Sequence, residues 1–198
     1  MQPLQASSGS TGVREVRRLE TRARLFDAAL SEIGRRGLAA ADVSAIAAAA
    51  GVVRGTFYFH FPTKEHVLAE LERDEERRIV GELGDAKGDL ATILSDVVSR
   101  ILDAEKRLGT AVFRDMLGLH FSPSRPVEEE LAQHPIAQFL AGVIRRAQDA
   151  GQVSSDADAT ELAMFFLTGL FALLAIGSHD PALLSRYVST SVNGMEKR

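Results

Sequence analysis

Apolar residues recur every three or four positions through most of this chain, which is the repeat of an amphipathic α-helix. The repeat is clear from Leu19 to Ile33, and Gly37 is suited to cap the end of that helix. It is nearly ideal from Leu90 to Leu102. Beyond Lys64 no segment has the alternation of polar and apolar residues that marks a half-buried strand. The pattern therefore predicts an all-α fold.

Two short helices around a glycine are predicted in the first third of the chain, where residues 42–64 read DVSAIAAAAGVVRGTFYFHFPTK. Asp42 is suited to cap the first helix, and Gly51 is suited to the turn that follows it. The second helix is predicted from about Val53 to Phe59. Two helices joined by a glycine turn form a helix-turn-helix, whose second helix can enter the major groove of DNA.

The second short helix carries side chains suited to reading DNA bases. Arg54 can place its donors on O6 and N7 of guanine, and Thr56 offers a hydroxyl and a methyl group. Gly55 has no side chain, so the helix backbone can approach DNA closely. Three aromatic side chains are predicted to dock this helix on the first helix of the chain: Phe57, Phe59 and Phe61.

A second set of side chains is suited to the phosphate backbone. Tyr58, His60 and Lys64 carry donors that can bind phosphates without reading sequence. Packing is the alternative role for Tyr58, and Ser44 is equally consistent with a phosphate contact and with simple exposure to solvent. The charge balance supports contact with DNA, because residues 1–66 contain 9 Lys and Arg against 6 Asp and Glu, whereas the rest contains 14 against 21.

The last two predicted helices have unusual surfaces. Residues 157–177 are apolar nearly all round, and Asp180-Pro181 opens a final helix that carries several small residues. One interpretation is a hydrophobic hairpin buried inside one domain. We favour the other, in which both helices pair with their copies in a second subunit, because an all-α domain of this size has little left to cover them.

Composition narrows the functional classes. Cysteine is absent, which excludes disulfides and thiolate metal sites and agrees with a reducing cytoplasm. Residues 1–13 have the composition of a flexible tail rather than of a signal peptide, and the longest apolar run is too short to span a bilayer. We therefore expect a cytoplasmic protein with no membrane contact. No acid–base constellation, phosphate loop or metal-spaced motif points to an enzyme, a cofactor or a metal.

The segment GLAAADVSAIAAAAGVVRGTFYFHFPTKEHVL resembles the DNA-binding region of TetR-type transcriptional regulators. The glycine turn, the Arg-Gly-Thr-Phe-Tyr-x-His-Phe run and the Pro-Thr-Lys-Glu that follows carry the resemblance, which covers about Leu19 to Leu71. It implies a helix-turn-helix DNA-binding domain at residues 14–62 and an effector-binding and dimerisation domain at residues 63–198. It further implies a homodimer that represses from a palindromic DNA operator until a small-molecule effector releases it.

The resemblance also implies an effector pocket among the later helices. The residues predicted to line it are mostly apolar and lie on helices expected to face inward, although each has ordinary core packing as its alternative: Phe113, Met116, Leu117, His120, Phe121, His134, Phe139, Phe165, Phe166 and Thr168. An apolar or aromatic effector is therefore expected. The competing hypothesis for the whole chain is a helical adaptor or scaffold without specific DNA binding.

Overall fold

A computed structural model of the chain describes residues 8–84, 87–126 and 130–196. The regular elements within these ranges are all helices, apart from one isolated β-bridge between Val153 and Glu196. This confirms the predicted all-α fold. The chain divides into two compact units, Met1–Val67 and Leu68–Arg198.

The first unit is a small helical cluster. Its helices are α1 (Ser8–Ala40), α2 (Val43–Ala49), α3 (Arg54–His60) and the first residues of α4 (Lys64–Leu83). Of the predicted flexible tail, residues 1–7 lie outside the described residues, whereas Ser8 onward belongs to α1. Gly37 interrupts α1 with φ 75° and ψ 159°, a backbone conformation open to glycine, at the position where the sequence predicted the end of the helix.

One face of α3 is buried in the core of this unit. Phe57 and Phe61 are four residues apart and lie on the same side, with ring centroids 5.7 Å from each other. They join a cluster contributed by α1, α2 and the start of α4: Leu25, Ala29, Ile46, Ala50 and Val67. The docking role predicted for Phe59 is wrong, because 73% of its surface is exposed. A step of two residues along an α-helix rotates the direction of the side chain by about 200°, so Phe59 points away from the face that Phe57 buries.

The second unit contains the rest of α4 and five further helices: α5 (Leu90–Leu108), α6 (Thr110–Gly118), α7 (Pro135–Asp149), α8 (Ala159–Ala175) and α9 (Pro181–Met195). Two 3-10 turns, Leu119–Phe121 and Leu131–Gln133, lie between α6 and α7. Pro135 and Pro181 each occupy the first turn of a helix, where proline forfeits no helical hydrogen bond. This confirms the helix start predicted at Pro181.

Helix α8 lies at the centre of this unit and packs against α6, α7 and α9. Its contact with α9 is close because Gly169 faces Tyr187, and a side chain at this glycine would collide with the tyrosine ring. The Tyr187 hydroxyl donates a hydrogen bond of 2.6 Å to the Phe166 carbonyl oxygen. This arrangement fixes the two last helices against each other within one chain.

The two phenylalanines of α3 provide a test of its orientation. We expect Phe57→Ala to lower the free energy of unfolding by about 3–5 kcal/mol, because it removes a fully buried ring. Phe59→Ala is expected to change it by less than about 0.5 kcal/mol. Urea denaturation followed by circular dichroism measures both, and equal losses would contradict the orientation of α3.

Candidate nucleic-acid interface and effector cavity

Local chemistry fixes the turn between α2 and α3. Asp42 caps α2, as predicted, by accepting a hydrogen bond of 2.8 Å from the Ser44 N–H. Gly51 adopts φ 70°, and the N–H of Val52 then donates to the Ala47 carbonyl at 3.0 Å. The turn therefore closes with its backbone groups bonded, and α3 starts three residues after the glycine.

The exposed face of α3 brings together side chains from both predicted sets of DNA contacts. Arg54 and Tyr58 are exposed one helical turn apart, and the Arg54 guanidinium donates a hydrogen bond of 3.2 Å to the Tyr58 hydroxyl. Thr56 is half-buried at the edge of this face. Ser44 is exposed on α2. The backbone N–H of Ser44, rather than the Ser44 hydroxyl, donates the hydrogen bond to Asp42.

Gly55 is exposed on the same face, between Arg54 and Thr56. A Cβ atom built at this position would meet no other atom within 4 Å. Packing within the chain therefore gives no reason for a glycine, which costs roughly 1 kcal/mol in a helix relative to alanine. The open backbone is available to a molecule from outside.

Lys64 has a structural role that sequence reasoning missed. Its ammonium group donates hydrogen bonds to the carbonyl oxygens of Ala39 at 2.8 Å and Ala41 at 3.3 Å, beyond the break at Gly37. A lysine has three N–H donors, so one remains for an anion. The contacts depend on residues more than 20 positions away in sequence, which no local motif reports.

His60 is half-buried at the end of α3. Burial lowers the pKa of His60, and the positive charges of Arg18 and Arg22 lower it further. The imidazole is therefore neutral near pH 7 and offers one N–H donor without a charge. Its predicted phosphate contact would consequently be a neutral hydrogen bond.

A cavity of about 520 Å³ lies in the second unit, and the residues that line it belong to the described ranges. Its volume falls in the range of about 300–1,000 Å³ that is usual for small-molecule sites. Three of the ten predicted effector residues line it: His120, Phe121 and Thr168. Sequence reasoning left out the remaining wall, which is Arg125, Pro126, Glu130, Leu131, Ala132, Met164 and Phe171.

The other predicted effector residues do not line this cavity. Phe113, Met116, Leu117 and Phe166 are buried core residues, and Phe139 is half-buried on α7. The expectation that Phe165 faces inward is wrong, since 71% of it is exposed. Because α8 is apolar nearly all round, hydrophobic periodicity did not mark its outer face.

His134 is fully buried and contacts Glu76 of α4, while His120 contacts Glu72 of the same helix. Both glutamates are only 4% exposed, although α4 is rich in charged residues from Glu70 to Arg78. The spacing of both glutamates in the sequence indicates that they are buried. Glu72 follows Leu68 by one helical turn and Glu76 precedes Ile79 by one, so both share the buried face of α4.

No helix within the described ranges is both long enough and apolar enough to cross a membrane. The exposed face of α3 and the cavity lined by His120 are the candidate functional sites considered below.

Known proteins resemble this chain across both units. The family described as bacterial regulatory proteins, tetR family, matches residues 25–71. The transcriptional regulator SrpR of Pseudomonas putida is 30% identical over 161 residues, which cover 76% of this chain and 73% of SrpR. AcrR of Shigella flexneri is 34% identical over 90 residues, and that match spans only 41% of AcrR.

The fold recurs in the crystal structure of Thermus thermophilus FadR, a TetR-family transcriptional repressor in complex with lauroyl-CoA. The two structures agree with a TM-score of 0.63 over 89% of this chain and 96% of FadR, at 21% identity. The match with SrpR supports the family assignment. The match with FadR shows the likeness of fold. The chain belongs to the tetR family of bacterial regulatory proteins and is a DNA-binding transcriptional regulator.

Proposed function

We propose that the protein is a homodimeric repressor that binds a palindromic operator through α3 and leaves it when a small molecule occupies the second unit. The observation that carries this proposal is the outer face of α3. It presents Arg54, Gly55 and Tyr58 to solvent, while Phe57 holds the opposite face in the core. The protein would act in the cytoplasm, where its DNA lies.

The side chains of α3 divide between base reading and phosphate binding in this proposal. Arg54 and Thr56 read base edges, and Gly55 allows the helix to enter the groove deeply. Tyr58, His60, Lys64 and Ser44 hold phosphates and thereby fix the register of the helix. The hydrogen bond between Arg54 and Tyr58 supports this division, because it holds the guanidinium in place before DNA arrives.

The dimer would form through α8 and α9. Phe165 of α8 is 71% exposed, and Ile176, which caps the end of α8, is 78% exposed, although α8 is otherwise the central helix of its unit. A second copy of the chain would cover these side chains. The dimer would then set two α3 helices about 34 Å apart, or a multiple of this distance, which matches successive major grooves on one side of DNA.

The effector would bind in the cavity beside His120. Phe121, Leu131, Met164 and Phe171 give it apolar walls, which favours an effector with an apolar or aromatic body. Arg125 and Glu130 add two charged groups that can orient a polar end. The lauroyl-CoA of FadR shows that a related fold accepts a ligand with a long apolar chain.

Coupling between effector and operator would run through α4, which begins in the first unit and continues into the second. The effector favours one arrangement of the dimer and the operator favours another. Each ligand must therefore weaken the binding of the other by the same factor.

A helical adaptor without specific DNA binding is the alternative function. The exposed Arg54 and the glycine beside it argue against an adaptor, since neither is needed for packing within the chain.

Removing the proposed base-reading side chain tests the function most simply. An operator is first obtained by enriching random DNA duplexes on the purified protein. We expect Arg54→Ala to reduce the preference for this operator over a scrambled duplex by about 1–3 kcal/mol per half-site, because a bidentate contact with guanine is lost. Fluorescence anisotropy measures both affinities. Arg100→Ala removes the same charge from an exposed position of α5 and serves as the control. Unchanged preference in the Arg54 variant would reject the reading role.

Gly55 gives a prediction in which stability and binding change in opposite directions. Gly55→Ala is expected to raise the free energy of unfolding by about 0.5–1 kcal/mol, because alanine favours the helix and meets no neighbour. Operator affinity is expected to fall at least about tenfold, a loss of about 1.4 kcal/mol, because the added methyl group lies between the helix and the base edges. Gly81→Ala, at an exposed and equally open position of α4, should stabilise without affecting DNA binding. Full operator affinity in Gly55→Ala would contradict a close approach of DNA.

The proposed dimer surface is tested by placing a charge on it. Phe165→Glu is expected to convert the dimer into monomers and to weaken operator binding, because the charge would be buried without a partner. Sedimentation velocity measures the oligomeric state, and Gln138→Glu adds the same charge to an exposed position of α7 as the control. A dimer that survives Phe165→Glu would exclude this surface of α8.

A further inference from the structure

Four ionisable side chains meet in the interior of the second unit. Glu72 and Glu76 project from successive turns of α4, His120 lies in the 3-10 turn after α6, and His134 immediately precedes α7. Both glutamates are 4% exposed, and His134 is completely buried. The four residues are referred to below as the Glu/His cluster.

Three residues of the Glu/His cluster lie close enough together to share one metal ion. One possible ligand atom from each of Glu72, His120 and His134 lies within 4.8 Å of the other two. His120 Nε2 lies 2.5 Å from Glu72 Oε1, and His134 Nδ1 lies 2.9 Å from Glu76 Oε1. The two imidazole rings have their centroids 5.5 Å apart.

The two buried carboxylates of the cluster would be stabilised by a positive charge close to them. Two carboxylates this deep in a protein are costly to keep ionised unless opposite charge is close. A single divalent cation balances both carboxylates and leaves both imidazoles neutral, which is the form in which histidine binds metals.

Two polar atoms of the cluster are buried with nothing to bond among the described residues. They are Oε2 of Glu76 and Nδ1 of His120. Buried polar atoms are nearly always paired in folded proteins, so the groups of the described residues do not by themselves satisfy the cluster. Ordinary packing leaves these two atoms unexplained.

The donor set selects a class of metal. Two imidazole nitrogens and a carboxylate oxygen suit Zn²⁺ and its first-row neighbours, whereas Mg²⁺ and Ca²⁺ prefer oxygen ligands alone. The Glu76 carboxylate at the far nitrogen of His134 is the outer partner that typically orients a metal-binding histidine. Tetrahedral Zn²⁺ needs ligand atoms about 3.3 Å apart, so the contact between His120 and Glu72 would open slightly as the ion enters.

An entry route is present. His120 and its stacking partner Phe171, whose ring centroids are 5.0 Å apart, both line the cavity of the second unit. An ion that enters this cavity therefore meets His120, the one residue of the cluster that lines it.

We propose that Glu72, His120 and His134 bind one divalent transition-metal ion, with Zn²⁺ as the best match, and that Glu76 orients His134 from outside the coordination sphere. This site does not depend on DNA binding, since all four residues belong to the second unit.

The full-length protein, freed of metal with a chelator, is the sample for the test. Titration with ZnCl₂ in a calorimeter at pH 7.5 is expected to show one saturable site per chain. Zinc at about 100 times its dissociation constant should raise the melting temperature by about 5–10 °C. A metal-free protein that binds no zinc stoichiometrically, and whose melting temperature does not rise, would overturn the proposal.

Variants locate the site. His120→Asn and Glu72→Gln each remove a ligand and should weaken zinc binding more than about 100-fold, whereas Glu76→Gln should weaken it about 10- to 100-fold by loosening His134. The matched control is His179→Asn, because His179 also contacts a glutamate, Glu105, at 3.1 Å but lies outside the cluster. Circular dichroism establishes that each variant is folded.

Each outcome of this series has a definite meaning. Loss of zinc in the cluster variants alone supports the site, whereas retained affinity in folded His120→Asn and Glu72→Gln overturns it. An equal loss in His179→Asn would assign the zinc to surface histidines and would also overturn it. Arg54→Ala should leave zinc binding unchanged, so failure of the operator prediction and failure of the metal site are separate results.

Discussion

Burial of Phe57 and Phe61 in the core of the first unit is the constraint on which the proposed DNA-binding surface depends. Helix α3 has only seven residues, and a helix this short is not stable in water by itself. The two rings hold it and also fix its rotation about its own axis. Arg54, Gly55 and Tyr58 then face solvent because the opposite side is fixed in the core. The proposed DNA-reading surface is thus a consequence of packing.

Elements marked by local chemistry could be predicted from sequence. The cap at Asp42, the break at Gly37 and the proline start of α9 each depend on neighbouring residues alone. Phe59 was misplaced because its aromatic character was weighed above its position in the helical repeat. The contacts of Lys64 with carbonyl oxygens of α1 could not be predicted, since they arise only when distant segments fold together.

The second unit departs further from sequence expectation for the same reason. His120 and His134 were identified as polar candidates, but their partners on α4 are 48 and 58 residues away. Tertiary packing alone brings these groups together, and it places His120 between a cavity and a buried pair of carboxylates. The sequence indicated which residue types line the interior. It did not indicate which of these residues line the cavity and which contact the buried glutamates of α4.

The central claim is that α3 enters the major groove, and protection of guanine N7 from methylation measures this directly. On the enriched operator duplex, the account predicts two symmetric protected patches about one helical turn of DNA apart, or a multiple of it. The patches should lose guanine protection when Arg54 is replaced by alanine, at protein concentrations that still saturate the duplex. An operator bound without any protected major-groove guanine, or with protection unchanged in Arg54→Ala, would contradict the account.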